Sequence, residues 1–473
     1  MRRTKIVCTL GPASRHAFTL RYMIRSGMNV ARLNFSHGTL AEHRAIIKKI
    51  RRLASEENRA VAILADMGGP KFRLGRVRSG EILRDGRRVD LTSRPRVGTA
   101  ERLSVNRPEL IPQLGRGDRV MIWDGKLQLE VIETGEEEVS CRIIVGGPLK
   151  DDAGLNMPDT TLDIPALTEK DLKDIAFCVK QKVDFIGHSF VRTAADIELC
   201  RRVIRSHHAD IPIVAKMEKT EAVQNLEEII EATDGVMVAR GDLGIEIPLE
   251  EVPLAQKKII SCANLLAKPV ITATEMLLSM VDASRPTRAE AGDVANAILD
   301  GSDAVMLSEE TSVGKNPTEV IRMMGRIAET TEKSAVISAG AARRRRRESP
   351  DGTGLAHAIA HSTVELAIEL RASVIITPTD SGDTPRRIVR HRPDQPVIAL
   401  STSDQTVRRL SLSWGVFPWK IPRRLPLEKI LAAIRERIIE EKLGEKGGSA
   451  ILCAGYPFGA KENKGRVIQT EVI

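Results

Sequence analysis

Strand and helix signals alternate along most of this 473-residue chain, and that alternation limits the fold more than any other feature. Apolar runs at Lys5–Leu10, Asn29–Phe35 and Val61–Met67 are separated by helical segments at Ala17–Ser26 and Leu40–Glu56. From Leu162 the pattern resumes, with strands at Asp184–Phe190, Ile211–Met217, Gly235–Ala239, Pro269–Thr274 and Ala304–Ser308. Helices fall at Glu169–Gln181, Ala194–Ser206 and Thr220–Ala232. Strands that alternate with helices pair in parallel and are covered on both faces, so they read as unbroken apolar runs. Three units before the gap and five after it make eight, which predicts a (β/α)8 TIM barrel.

The gap has a different texture. Between Pro70 and Asp152 short alternating stretches appear: Arg119–Trp123, Lys126–Glu133 and Val139–Val145, broken by Asp124-Gly125 and Thr134-Gly135. Asp-Gly between two alternating runs is a hairpin signal. The expectation is a small β-barrel lid domain over 70–153, inserted into a barrel made of 1–69 and 154–335 and closed by a helix over 320–335. A linker follows over 336–353. Its five arginines, Arg343 to Arg347, repel one another, so a solvated connector is the default over a nucleic-acid patch. Residues 354–473 carry strands at Ser373–Thr377, Pro396–Leu400, Val416–Ile421, Ala450–Ala454 and Arg466–Val472, and a helix at Leu427–Leu443, which predicts a C-terminal α/β, Rossmann-like domain.

Composition removes several classes. No apolar run approaches the roughly 18 residues of a membrane span, and the N-terminus enters a strand without a signal-peptide core. Six scattered cysteines without a C-x-x-C pair suit buried thiols in a reducing cytoplasm better than disulfides or zinc. A net charge of +9 allows nucleic acid or polyanionic metabolites as partners, but 3% aromatics weakens any base-stacking surface.

A barrel collects its chemistry at the C-terminal strand ends. Here those ends offer Arg32, Asn34, Ser36, Asp66, Ser189, Lys216, Glu218, Asp242 and Thr274. Asp242 sits between two glycines in Arg240-Gly241-Asp242-Leu243-Gly244, directly after a buried strand. Glu218 and Asp242 would be hard oxygen ligands for one divalent cation, and magnesium takes only one or two protein carboxylates. Lys216 beside it is a fixed positive charge, and Arg32 can grip a phosphate in bidentate fashion. Phosphoryl transfer needs positioning and charge neutralisation above all. No G-x-x-x-x-G-K-[ST] run occurs, so a P-loop is not the nucleotide site. Each residue also has a plain role open to it: Lys216 and Glu218 as an ion pair, Thr274 or Asp242 as a helix cap, Asn34–His37 as a turn. In the last domain, Ser381, Gly382 and Thr384 precede a helix, where they either hold a phosphate or cap a turn.

At these residues the chain resembles the pyruvate kinases. Arg32-Leu33-Asn34-Phe35-Ser36-His37-Gly38, Ala215-Lys216-Met217-Glu218, Met237–Pro248, Thr272-Ala273-Thr274-Glu275-Met276-Leu277 and Ser284–Glu290 carry the resemblance, which extends over nearly the whole chain. It implies transfer of a phosphoryl group from phosphoenolpyruvate to ADP, giving pyruvate and ATP, with Mg2+ or Mn2+ on Glu218 and Asp242. It implies Lys216 on the phosphoryl group in flight, Arg32 on the phosphate, and the Gly241 and Asp242 amides with the Thr274 hydroxyl on the carboxylate. Thr274 with an ordered water is the candidate proton donor. Arg73 and His37 would approach the nucleotide, and the β domain would close as a lid. A potassium ion would lie among Asn34, Ser36, Asp66 and the Met67 carbonyl. The last domain would bind an effector and help to build a homotetramer.

Departures from the family pattern carry information. Lys71 stands where a Glu is usual, and members with Lys there are associated with potassium independence; an ammonium can supply the bound ion's charge. Gly68, Ala153, Lys219 and Glu275 replace Lys, Lys, Asn and Gln, all toward the nucleotide, and Lys150 is the lysine left to reach it in place of the one missing at Ala153. Asp383 adds a negative charge to the effector loop, and Pro457–Lys464 departs from the usual Gly-rich form, so fructose 1,6-bisphosphate, another sugar phosphate and no activator all stay open. Two other readings stay open as well: a barrel lyase or carboxylase acting on pyruvate or phosphoenolpyruvate, and a non-catalytic basic relative that binds nucleic acid through the arginine run.

Overall fold

The computed structural model describes residues 1–334, 354–422, 427–456 and 465–473. Arg343–Arg347 and Pro457–Lys464 lie outside the described residues. Eight parallel strands close a barrel in chain order: Lys5–Thr9, Val30–Asn34, Ala62–Asp66, Phe185–His188, Ile213–Met217, Gly235–Ala239, Val270–Ala273 and Ala304–Leu307. The first strand pairs with both the second and the last, Val7 opposite Val30 and Lys5 opposite Ala304. Alternate strand residues fill the interior, among them Val7, Leu64, Phe185, Val214, Met237, Ile271 and Met306. The others pack under the helices. Helix starts are fixed by capping boxes: Thr39 with Glu42, Thr168 with Asp171, Thr193 with Asp196 and Thr287 with Glu290.

The sequence reading of one helix needs correction. The segment expected as one helix over Thr220–Ala232 is two, Thr220–Gln224 and Leu226–Ala232, broken at Asn225. The Asn225 amide donates to the Arg192 carbonyl at 3.0 Å, a tertiary bond that no periodicity encodes. Asp242 is not a helix cap: the helix Arg240–Glu246 starts directly at the end of the sixth strand, and Asp242 lies inside its first turn.

The inserted segment forms a seven-stranded sheet with its own apolar core of residues such as Leu74, Leu91, Leu103, Val120, Leu129 and Ile143. Its entry, Phe72–Arg73, pairs antiparallel with its exit, Gly154–Asn156, so the two crossings to the barrel run side by side. After the barrel, a five-stranded sheet has the order Val416–Lys420, Val397–Ser401, Val374–Pro378, Ser449–Tyr456, Gly465–Val472, with only the last strand antiparallel. This unit plugs the far end of the barrel. Leu412 enters the interior cluster, the Trp414 amide donates to Asp303 at 3.0 Å, and Arg408 pairs with buried Asp184 at 2.9 Å. No helix of the described residues is long and apolar enough to cross a membrane. All six cysteines are free, and five are buried.

Candidate active site

Parallel register brings the strand-end residues together. Asn34 lies opposite Asp66, and Asp66 opposite Gly187, so the ends of strands two, three and four meet at one level. Asp66 is buried, and its Oδ2 accepts from Arg32 Nε at 2.6 Å, while Arg32 Nη1 donates to Thr9 Oγ1 at 2.9 Å. On the other side, Lys216 Nζ sits 3.3 Å from Asp66 Oδ1 and 2.6 Å from Glu218 Oε1, and donates to Ser189 Oγ at 2.8 Å. Burial alone would lower the pKa of Lys216, but Asp66, Glu218 and Asp242 together raise it, so it stays an ammonium. Burial pulls Asp66 the other way, yet Lys216 and Arg32 hold its carboxyl below the usual carboxylate range.

Glu218 is the exception among these charges. Burial pushes its carboxyl up to about 7, against the pull of Lys216, and Asp242 adds to the rise. Its Oε2 accepts from the Phe190 amide at 2.8 Å, but its buried Oε1 accepts no hydrogen bond and has only the ion pair with Lys216. A buried acid pressed by a second acid is the setting that a divalent cation relieves. The donor set therefore fits magnesium held by Glu218 and Asp242. Among the described residues no group of three or more His, Cys, Asp or Glu that could hold a metal ion gathers.

The next wall is a strained turn. Thr274 and Glu275 have φ of 70° and 55°, a region that a β-branched residue adopts only when its surroundings enforce it. Arg240 does so. It donates to the Ala273 and Thr274 carbonyls at 3.2 and 2.8 Å and pairs with Asp293 at 2.6 Å. The Gly241 amide donates to Thr274 Oγ1 at 2.8 Å, so the groups expected to take a carboxylate are joined to each other. Sequence reasoning gave Arg240 no role. Its only sign was an arginine directly after an apolar run, which looks like any strand end.

The residues expected for a monovalent ion lie at the same strand ends and are already engaged, partly by one another and partly by neighbours. Asn34 Oδ1 accepts from the Ser36 amide at 3.0 Å, and the Met67 carbonyl accepts from Ser189 Oγ at 2.8 Å. Lys71 is exposed toward this cluster and forms no ion pair among the described residues. Desolvation and Lys216 lower its pKa, while Asp242, Glu218 and Asp66 oppose them, which places its ammonium in the field of the site.

A cleft of roughly 380 Å³ opens between the barrel mouth and the inserted sheet, with Lys71, Arg73, Trp123, Lys150, Lys219 and Asp242 in its walls. Arg73 Nη1 donates to the Asp152 carbonyl at 3.1 Å. Lys219 pairs with Glu246 at 2.7 Å, and Glu246 also accepts from Asn156 of the inserted segment at 3.0 Å, a link that sequence reading missed. His37 is exposed and is not among the cleft walls. Desolvation lowers its pKa, and Lys71, Arg73 and Arg32 lower it further. Ala153 lies in the cleft wall, Glu275 is exposed outside it, and Gly68 lies against Ser36.

In the last unit, the Gly382 amide donates to Thr379 Oγ1 at 2.8 Å and the Asp383 amide to Ser381 Oγ at 3.3 Å. Thr384 Oγ1 accepts from Arg466 at 3.1 Å. Two of the amides that could hold a phosphate are thus engaged by the loop itself.

Comparison with known proteins agrees with this geometry. The pyruvate kinase barrel domain matches residues 1–321, and the pyruvate kinase alpha/beta domain matches residues 357–468. A pyruvate kinase of Geobacillus stearothermophilus is 44% identical over 462 residues, covering 97% of this chain and 78% of its own. One from Corynebacterium glutamicum is 41% identical over 467 residues, covering 98% and 96%. A crystal structure of a pyruvate kinase from Cryptosporidium parvum superposes with a TM-score of 0.94 at 36% identity, covering 100% of this chain and 96% of its own. The chain belongs to the pyruvate kinase family.

Proposed function

We propose that the barrel mouth transfers the phosphoryl group of phosphoenolpyruvate to ADP, giving pyruvate and ATP. The observation that carries this reading is Lys216, a buried ammonium fixed between Asp66 and Glu218 and bonded to Ser189. Such a charge is oriented before the reaction and needs no reorganisation when charge develops. Arg32, locked by Asp66 and Thr9, presents its remaining donors to the phosphate. The Gly241 and Asp242 amides with Thr274 take the carboxylate, in a turn that Arg240 enforces. Glu218 and Asp242 would hold magnesium, which supplies charge neutralisation at the enolate and phosphoryl oxygens when bound. A β-phosphate oxygen of ADP forms the new P–O bond as the bond to the enol oxygen breaks. The enolate carbon then takes a proton, for which Thr274 with an ordered water is the candidate. Arg73, with His37 at the rim, would meet the nucleotide, and the inserted domain, expected over 70–153 and extended by its exit strand Gly154–Asn156, would close on the barrel parts within 1–69 and 154–335 and exclude water.

Potassium independence belongs to the same proposal. Lys71, exposed toward Asp66, Glu218 and Asp242, would supply the charge of an ion among Asn34, Ser36, Asp66 and Met67. The free thiols suit a cytoplasmic enzyme. Homotetramer contacts through the barrel would use exposed Leu249, Leu254 and Leu265, and contacts through the last domain (354–473, after the 336–353 linker) would use its edge strand, Gly465–Val472. A sugar-phosphate effector would sit at Ser381, Gly382 and Thr384, near Arg387 and Arg466. Phosphorus NMR tests the transfer. With protein, magnesium and ADP, the phosphoenolpyruvate resonance should be replaced by those of ATP; inorganic phosphate without ATP would contradict it.

A further inference from the structure

Trp123 directly follows the lid strand Arg119–Ile122 and has a φ of 54°, a left-handed conformation that is costly for a bulky side chain. Asp124 and Gly125, at 56° and 77°, are the residues that the hairpin turn itself requires in that region; Trp123 lies before them. Its amide is tied to the Gly154 carbonyl at 2.9 Å, at the point where the chain returns to the barrel. The indole is partly buried against the lid core, and it lines the cleft. Two ammonium groups lie over the ring, Lys150 Nζ at 3.6 Å and Lys126 Nζ at 4.2 Å from its centroid. Only Lys150 also lines the cleft.

Lys150 forms no ion pair among the described residues, although Asp124, Asp151 and Asp152 line the same cleft. Of the other long cations here, Lys219 is held by Glu246 and Arg73 by the Asp152 carbonyl, whereas Lys71 forms no ion pair among the described residues but lies on no aromatic face among them. An ammonium on an indole face keeps its N–H donors without true acceptors, because a ring face attracts charge but offers no lone pair. It is ready to move to a stronger acceptor, and phosphate oxygens accept charge-assisted hydrogen bonds.

We propose that Lys150 is a ligand for the polyphosphate of the nucleoside diphosphate, and that Trp123 is the positioning residue that holds its ammonium in the cleft. This rests on the phosphotransferase reading above. The strained backbone then has a role: it turns the indole into the cleft, beneath Lys150, rather than along the strand. Because Lys150 belongs to the lid segment, its bond to phosphate would also couple nucleotide arrival to lid position.

The experiment is steady-state kinetics on the full chain with phosphoenolpyruvate, ADP and magnesium, for Lys150→Met, Trp123→Leu, Trp123→Phe and Lys126→Met. Lys150→Met should raise KM for ADP about tenfold or more, with kcat and KM for phosphoenolpyruvate within about twofold of the parent. Trp123→Leu should raise KM for ADP several-fold, and Trp123→Phe, which keeps a ring face, should restore most of it. Lys126→Met should change nothing beyond about twofold. The double variant Trp123→Leu/Lys150→Met should be no worse than Lys150→Met alone, since the indole acts through the lysine. An unchanged KM for ADP in Lys150→Met, or fully additive effects in the double variant, would overturn the proposal. Calorimetric titration with ADP alone reads the same contact without turnover. A parent that binds ADP but makes no pyruvate therefore sinks the phosphotransferase reading, whereas equal ADP affinity in parent and Lys150→Met sinks this one.

Discussion

The two walls of the cleft are built in opposite ways. On the barrel side, buried Asp66, Lys216 and Glu218 and partly buried Arg32 are interlocked at 2.6 to 3.3 Å, each charge answering another. On the side that faces the lid, Lys71 and Lys150 are exposed and without ion pairs among the described residues, and Arg73 rests on a single carbonyl. The first arrangement can hold reacting atoms to tenths of an ångström; the second can only attract and follow. Of the departures from the family pattern, Lys71, Ala153 and Lys219 line the cleft, whereas Gly68 lies against Ser36 and Glu275 is outside it. A loosely held charge can be moved to another position on the same wall, whereas removal of one buried partner leaves the other unpaired.

Mutations on the two walls should therefore behave differently. The largest effect is expected at Lys216. Lys216→Met should lower kcat by at least about three orders of magnitude while phosphoenolpyruvate still binds, because the charge is needed most in the transition state. Turnover close to that of the parent would end the contrast between the walls. Next comes the device behind the barrel wall. Arg240→Met releases the Thr274 turn and should lower kcat/KM for phosphoenolpyruvate about a hundredfold, with little change in KM for ADP. An equal loss toward both substrates would place Arg240 in general stability instead.

Smaller effects belong to the lid-facing wall. Lys71→Met should reduce activity about tenfold in potassium-free buffer, and potassium should restore it, since the ion replaces the lost charge. The same change should raise the pKa of His37 toward its ordinary value, as followed by proton NMR. Desolvation and the cations Lys71, Arg73 and Arg32 hold it down now, and removal of one cation favours the imidazolium. A His37 titration unmoved by the substitution would put Lys71 elsewhere. The smallest catalytic effect is expected for Lys219→Met, within about threefold in kcat. Its mark should be on stability, about 1–3 kcal/mol, because buried Glu246 would keep Asn156 as its remaining side-chain partner. Thermal unfolding measures this, and an unchanged melting temperature would show the pair to be idle.

The same contrast explains what the sequence reveals. The barrel strands are legible because burial on both faces leaves unbroken apolar runs, and Arg32, Asp66, Lys216 and Glu218 are legible because charge at the end of such a run has few structural uses. The break at Asn225 is not legible, because it depends on the Arg192 carbonyl, thirty-three residues away along the chain. The crossing formed by Phe72–Arg73 and Gly154–Asn156 is hidden by strands too short to show a period. Trp123 and Arg240 are hidden for another reason: their roles arise from left-handed backbone at Trp123 and Thr274, which residue types alone do not specify.

The central claim is that the barrel mouth, with Lys71 opposite it and magnesium bound, carries the charge that the reaction needs. Pyruvate release from phosphoenolpyruvate and ADP with magnesium, in sodium-free buffer with and without potassium, tests it most directly. The account predicts turnover in both, equal within about twofold. Activity only with potassium would remove Lys71 from the account, and no pyruvate in either, with or without sugar phosphates, would contradict the central claim.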